Sequence, residues 1–340
     1  MRSATIIIGI VCEWVFILTT VQFLYLLIIE RDLQPTGWCS FMEKDYLRIS
    51  STVLVSLLFG LALVLVNSWF NQPGVEEVVP RSTYLMVMIA LFFIDTVAFI
   101  FMQLYFIYDR RQFSNCILSL AFLSCLIYFV KTVIIIQQMI EGRLTSSVVQ
   151  NDIAIYYLFR QMSLCILIFL ALVNKVSENT KQRNLFSKKM TLCISLFFVF
   201  GGPIVAHILS SHYESYDLHI AELTNENGQV VWKASYVTIM IFMWLTLLSV
   251  NLYFNGLRYD IWNGVTVIAF CAVLYNVSLL FMSRYSVSIW YISRTIEVVS
   301  KLTVMVIFMC HIFSALRVTK NIAHRDPLTN IFNRNYFLMN

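Results

Sequence analysis

The sequence predicts an all-α polytopic membrane protein with eight to nine transmembrane helices, and three observations carry that prediction. Hydrophobic residues make up 59% of the 340 positions and charged residues only 13%, with a mean hydropathy of +0.76. That balance excludes the two or three soluble domains a chain of this length could otherwise hold. The apolar residues gather into runs of membrane-spanning length, since about 20 helical residues cross the hydrocarbon core. The loops between those runs alternate in basic character, as expected of spans whose orientation follows lysine and arginine.

Nine runs qualify: 4–29, 48–70, 83–108, 114–140, 152–174, 189–211, 235–254, 261–282 and 286–314. The first carries Glu13 and ends at Glu30, Arg31 and Asp32. It is too long for a signal-peptide core and lacks a small-residue cleavage site. Residues 1–41 therefore have two readings, an extra spanning segment or an upstream extension before Met42, where Met42 to Arg48 reads as an N-terminus set directly before a span. Residues 42–314 form the multi-span domain in either case.

Arg110 and Arg111 mark one loop, Lys175, Lys181, Arg183, Lys188 and Lys189 a second, and Arg258 a third. The intervening loops are acidic or mixed, with Glu214, Asp217, Glu222 and Glu226 in the longest. The basic loops, and with them the C-terminal tail carrying Arg317, Lys320 and Arg325, are expected on the cytoplasmic side of a bacterial inner membrane. In the longest outer loop, Asn227-Gly228 between Leu223 and Val230 is a hairpin signal, read as a solvated connector or a ligand-facing cap.

Ionisable side chains at membrane depth are costly and face a bundle interior or a wet cavity. Asp95, Lys131, Arg160 and His207 occupy such positions in the third to sixth spans. Asp95 and Lys131 are expected to pair across neighbouring helices, as a structural tie or as a ligand or proton site. Gly201-Gly202-Pro203 should interrupt the sixth span, four residues before His207. In the last span Arg294, Glu297 and Lys301 recur at three and four, one stripe on one face. That stripe either packs on the bundle or lets the helix shift register. Farther on, Ile312, Leu316, Thr319 and Ala323 make a short seam suited to a parallel helix pair.

Seven of the eight cysteines fall inside apolar runs, with only Cys39 in a loop, and no CxxC or Cys/His cluster is present. They read as small buried hydrophobes, with no metal site. The net charge of +5 is modest and confined to loops, which makes nucleic acid a poor partner and membrane lipid the expected one.

After His324 and Arg325, an expected helix end before Asp-Pro, the chain turns polar. Asp326, Leu328, Thr329, Asn333, Arg334 and Phe337 match at fixed spacing the opening of the GGDEF domain of bacterial diguanylate cyclases. Ile331 stands for a leucine of that pattern and Asn335 for its second arginine. The resemblance implies that residues 326–340 start a truncated α/β GGDEF domain and form its first helix, that 315–325 are a signalling linker, and that the spans are similar to the membrane-associated sensor regions bacteria place before such domains. It further implies an enzyme that joins two GTP into cyclic di-GMP with magnesium, working as a homodimer paired through its last helices. By the same likeness Asn333 would contact guanine, a role compatible with its reading as a helix N-cap, and Asp326 would tie the preceding helix to the catalytic domain. No Gly-Gly-Asp/Glu-Glu-Phe occurs in the 340 residues, so no cofactor is expected in this chain and it is expected to be catalytically inactive. The signal, a small molecule or a physical stimulus, is not named by the sequence. The rival reading is a small-solute or ion transporter using Asp95, Lys131 and His207, though no inverted repeat supports it.

Overall fold

The computed structural model describes residues 81–141, 146–180, 187–211, 218–223, 230–255, 261–280 and 286–324. All of them belong to one compact unit, Ser56–Asn340. The expected spans 4–29 and 48–70, the question of residues 1–41, and the motif at 326–340 lie outside the described residues.

The order of elements is α1 (Arg81–Tyr108), α2 (Phe113–Ile140), α3 (Ser146–Thr180), α4 (Lys188–Leu196), a π-helical turn (Phe197–Gly201), α5 (Gly202–Ile208), β1 (Ala221–Leu223), β2 (Val230–Trp232), α6 (Ala234–Asn255), α7 (Trp262–Leu279) and α8 (Ser286–His324). Taking α4 to α5 as one interrupted rod, these provide seven spans long and apolar enough to cross a membrane. Each coincides with one of the seven apolar runs expected beyond residue 80. The chain is a polytopic helical membrane protein.

Hydrocarbon offers no water to backbone groups, so each span satisfies its own. Short polar side chains in the spans do the same: Thr96 Oγ1 donates to the Phe92 carbonyl, Thr132 Oγ1 to Tyr128 and Ser124 Oγ to Ala121. Where helices end, side chains from elsewhere cap them. The carboxylate of Glu178, near the end of α3, accepts from the backbone N–H of Ser114 (3.3 Å) and from its hydroxyl (3.0 Å). A negative group thus sits where the N-terminal dipole of α2 favours one. Ser187 caps α4 by accepting from the Met190 N–H.

Helices α2 and α3 form the centre and lean on each other, with α1 beside α2, α6 beside α3, and α7 beside α6. Helix α8 closes the group by packing on both α7 and α1. Its approach to α7 is close because position 264 is glycine: a Cβ there would stand 3.0 Å from Phe308 Cε1 and 3.3 Å from Val304 Cγ1. The windows of α1, α4–α5 and α6 are the least enclosed, and their outward Phe93, Phe197 and Phe242 suit a lipid surface.

The glycine-proline interruption takes a particular form. The rod does not stop; it widens to a π-turn over Phe197–Gly201 and resumes as α5. Such turns absorb an extra residue and often mark functional positions. Here the turn lets the backbone at Gly202 come against α2 and α3, where a Cβ would collide with the Tyr128 hydroxyl and lie 3.1 Å from Ser163 Oγ. Those two side chains are themselves hydrogen-bonded at 2.9 Å.

The hairpin signal is met by strand pairing on either side of it: Ala221 opposes Trp232, Glu222 opposes Val231, and Leu223 opposes Val230. Asn151, in the first turns of α3, holds this hairpin to the bundle. Its Oδ1 accepts from the N–H groups of Ile220 (2.9 Å) and Ala221 (3.2 Å), and its Nδ2 donates to the Leu218 carbonyl (3.1 Å). One residue on, the Asp152 carboxylate accepts from the Ser211 N–H (2.9 Å) and hydroxyl (2.7 Å). The hairpin therefore rests on the end of the bundle where α3 and α8 begin.

Candidate functional site: a buried ionic cluster on the last helix

The stripe Arg294, Glu297 and Lys301 faces inward. All three are buried, as are Asp95 on α1 and Arg160 on α3. Glu297, fully enclosed, is the hub: Oε1 stands 2.7 Å from Arg160 Nη1 and 3.8 Å from Lys301 Nζ, and Oε2 accepts from Arg294 Nη1 at 2.5 Å. Lys301 Nζ donates to Asp95 Oδ2 at 2.5 Å. Five ionisable groups from three helices thus form one chain of charge running from α1 through α8 to α3.

This arrangement corrects one expectation. Asp95 pairs with Lys301, 206 residues away in sequence, and not with Lys131. The reason is helical phase: on α2 the enclosed positions are Tyr128, Phe129, Thr132, Ile135 and Ile136, while Lys131 shares the opposite side with the exposed Ile134. Of the two readings for the α8 stripe, the structure has it packed on the bundle. His207 makes its contact elsewhere, its Nδ1 3.3 Å from the Tyr156 hydroxyl. The cysteine expectation also needs correction at one position: Cys125, Cys165 and Cys271 are buried, but Cys193 is on the outside of its span.

Aromatic rings wall the cluster. The Arg160 guanidinium carbon lies 4.3 Å from the Phe129 ring centroid and 5.2 Å from that of Tyr157. Lys301 lies 5.2 Å from Phe129, and Arg294 4.5 Å from Tyr157. Ring faces carry negative potential and attract cations most strongly where water is absent, so the rings help to hold cations at membrane depth. Above them Tyr84 stacks on Trp290 with centroids 5.1 Å apart, bringing the start of α1 against α8. Trp232 of the hairpin meets the Tyr157 ring edge-on at 5.5 Å. The hairpin thereby contacts the same ring that covers Arg294.

One further residue belongs here. Gln161 is buried beside Arg160, and its Oε1 accepts from Trp244 Nε1 (3.2 Å) and the Tyr275 hydroxyl (2.9 Å). An indole N–H can only donate, which settles the amide's orientation. Sequence reading passed over Gln161, although a glutamine inside an apolar run is itself a polar signal at membrane depth. The ring wall had no comparable signal, because Phe129 and Tyr157 are ordinary residues of apolar helices. Among the described residues no group of three or more His, Cys, Asp or Glu is placed to hold a metal ion.

Charged stripe, ring wall and hairpin all lie between residues 84 and 301. The family model of MASE4, described as a membrane-associated sensor, integral membrane domain, matches residues 79–316. The chain belongs to the MASE4 family. All five ionisable residues of the cluster fall inside the matched region, so the cluster is built by the MASE4 domain alone. The chain is also 98% identical over 296 residues to the probable diguanylate cyclase DgcT of Escherichia coli (strain K12). That match takes in 87% of this chain and spans 66% of the relative's length. No solved structure matches the chain. The α8 helix of the MASE4 domain continues eight residues beyond the match, to His324.

Proposed function

We propose that this MASE4 domain is the input module of a diguanylate cyclase, reading a signal in the membrane and passing it along α8. The observation that carries the reading is the fusion of two roles in one helix. Helix α8 holds three of the five charges of the buried cluster and runs without interruption to His324, two residues before Asp326. Breaking or re-pairing charges at one end of a rigid 39-residue helix must move or release its other end. A buried multi-ion lock has discrete alternatives rather than a continuum, which is what a two-state switch needs.

In this reading residues 42–314 sense, 315–325 relay, and 326–340 open the GGDEF domain, with Asp326, Leu328, Thr329, Arg334 and Phe337 as its opening motif and Asn333 touching the base of GTP. The protein sits in the bacterial inner membrane with its C-terminus in the cytoplasm, where GTP and magnesium are found. Two copies pair through α8, and the signal changes that pairing. The 340 residues alone make no cyclic di-GMP, because they lack the Gly-Gly turn and carboxylates of the motif. The likeness to a named probable diguanylate cyclase supports this assignment, and the closed pairing of the charges favours it over a transporter.

The test is to place this MASE4 domain, in wild-type form and with Asp95→Asn, before an intact GGDEF domain in cells devoid of other cyclases. Cyclic di-GMP is then measured. The reading requires a changed output from the variant at equal membrane abundance. Equal output from both, or ion flux through liposomes that Asp95→Asn abolishes, would overturn it.

A further inference from the structure

The cluster is not neutral. Arg160, Arg294 and Lys301 contribute three positive charges and Asp95 and Glu297 two negative, so the described residues leave one cation in excess. Of the cluster's buried donors without a hydrogen bond, Arg160 Nη1 is ion-paired with Glu297, whereas Arg294 Nε and Gln161 Nε2 have neither contact, although their residues are 5% and 1% exposed. A buried donor left without a partner is costly, and a buried unbalanced charge more so. Both deficits have the same remedy, an acceptor carrying one negative charge.

Both donors flank Tyr157. The Arg294 guanidinium lies against its ring, and Gln161 follows one turn later on the same face of α3. Arg294 lies eight residues beyond the start of α8 at Ser286, and Gln161 lies near the middle of its span, Val148–Glu178. The donors therefore sit inside the bundle around Tyr157, whose ring Trp232 of the hairpin meets edge-on. Two carboxylate oxygens also lack a hydrogen bond: Glu297 Oε1, which is ion-paired with Arg160 Nη1 at 2.7 Å, and Asp95 Oδ1, on the residue that pairs with Lys301, seven residues and about 10 Å beyond Arg294 along α8.

We infer that this MASE4 domain binds a small monovalent carboxylate inside the bundle beside Tyr157, with Arg294 Nε and Gln161 Nε2 as donors. A carboxylate matches the single excess charge and presents two coplanar oxygens to a guanidinium and an amide; a dianion would overshoot the charge. Binding there competes with Glu297 for Arg294 and so acts on α8 directly. The inference supplies a ligand class for the sensor proposed above, yet its binding step needs no catalytic domain.

The chemistry is shared by water-borne short acids and by fatty acids in the lipid, and the experiment separates them. The full 340-residue chain in lipid nanodiscs is unfolded by heat in sodium acetate, sodium decanoate or sodium chloride at equal ionic strength. A carboxylate should raise the unfolding midpoint above the chloride value; a response to acetate assigns the water-borne source, and one to decanoate alone the lipid. Gln161→Leu, which leaves every charge in place, should weaken the response about tenfold, and Arg294→Gln should abolish it. No carboxylate-specific shift, or an undiminished one in Gln161→Leu, overturns the inference. None of these outcomes reads cyclic di-GMP, so each leaves the cyclase reading to its own test.

Discussion

Glu297 has neighbours that make it the most consequential single side chain described. It faces three cations, and removing one partner of a buried ionic group leaves the others uncompensated, typically at about 3–5 kcal/mol. Glu297→Gln should therefore lower the unfolding midpoint in detergent more than Asp95→Asn, which deprives only Lys301. An equal or smaller loss for Glu297→Gln would show that it is not the hub. Lys131→Gln, on the outward side of α2, should change the midpoint little, within about 0.5 kcal/mol as for ordinary surface positions. The sequence marked all five of these charges for membrane depth or helical phase, yet it mispaired Asp95. Spacing within a helix is legible, whereas the partner on another helix depends on how the seven described spans are arranged.

At the scale of elements, the π-turn and the hairpin make separate predictions. Gly202→Ala drives a methyl group into the Tyr128 hydroxyl, an overpacking that costs about 1–3 kcal/mol. Tyr128→Phe removes that oxygen, so the double variant should recover most of the lost thermal stability. If it recovers none, the clash lies elsewhere in the α2–α3 groove. Asn151→Ala deletes three hydrogen bonds to the hairpin while leaving the cluster untouched. Amide exchange measured by mass spectrometry should then rise in residues 218–223 and 230–232 and stay unchanged in α2. Asn-Gly composition foretold the hairpin and the Gly-Gly-Pro run foretold an irregular rod. The π-turn's form was not legible, since it is decided by what Tyr128 and Ser163 offer across the groove.

For the whole molecule, the division of labour between bundle and last helix determines what a truncation or fusion does. Cells expressing the 340 residues alone should show no rise in cyclic di-GMP over an empty vector, and a fusion restoring a GGDEF domain should show one. A rise from the 340 residues alone would contradict the inactivity proposed for them. The relative's greater length, of which this chain spans 66%, leaves room for such a domain. Fold class and the seven described spans were legible because hydrocarbon imposes length and apolarity one helix at a time, with no need to know the neighbours.

Taken alone, the sequence determined that the chain crosses the membrane repeatedly, where each described span lies, which charges are stranded at membrane depth, and that Arg294, Glu297 and Lys301 share a face. These are properties of single helices, set by composition and the 3.6-residue period. Only the tertiary structure decided that this face turns inward, that Lys301 reaches Asp95, that Phe129 and Tyr157 wall the cations, and that Trp232 of the hairpin rests on Tyr157. Those contacts join residues up to 206 positions apart, and in hydrocarbon, where tails are as apolar as the helices, packing shape and buried polar partners choose the neighbours.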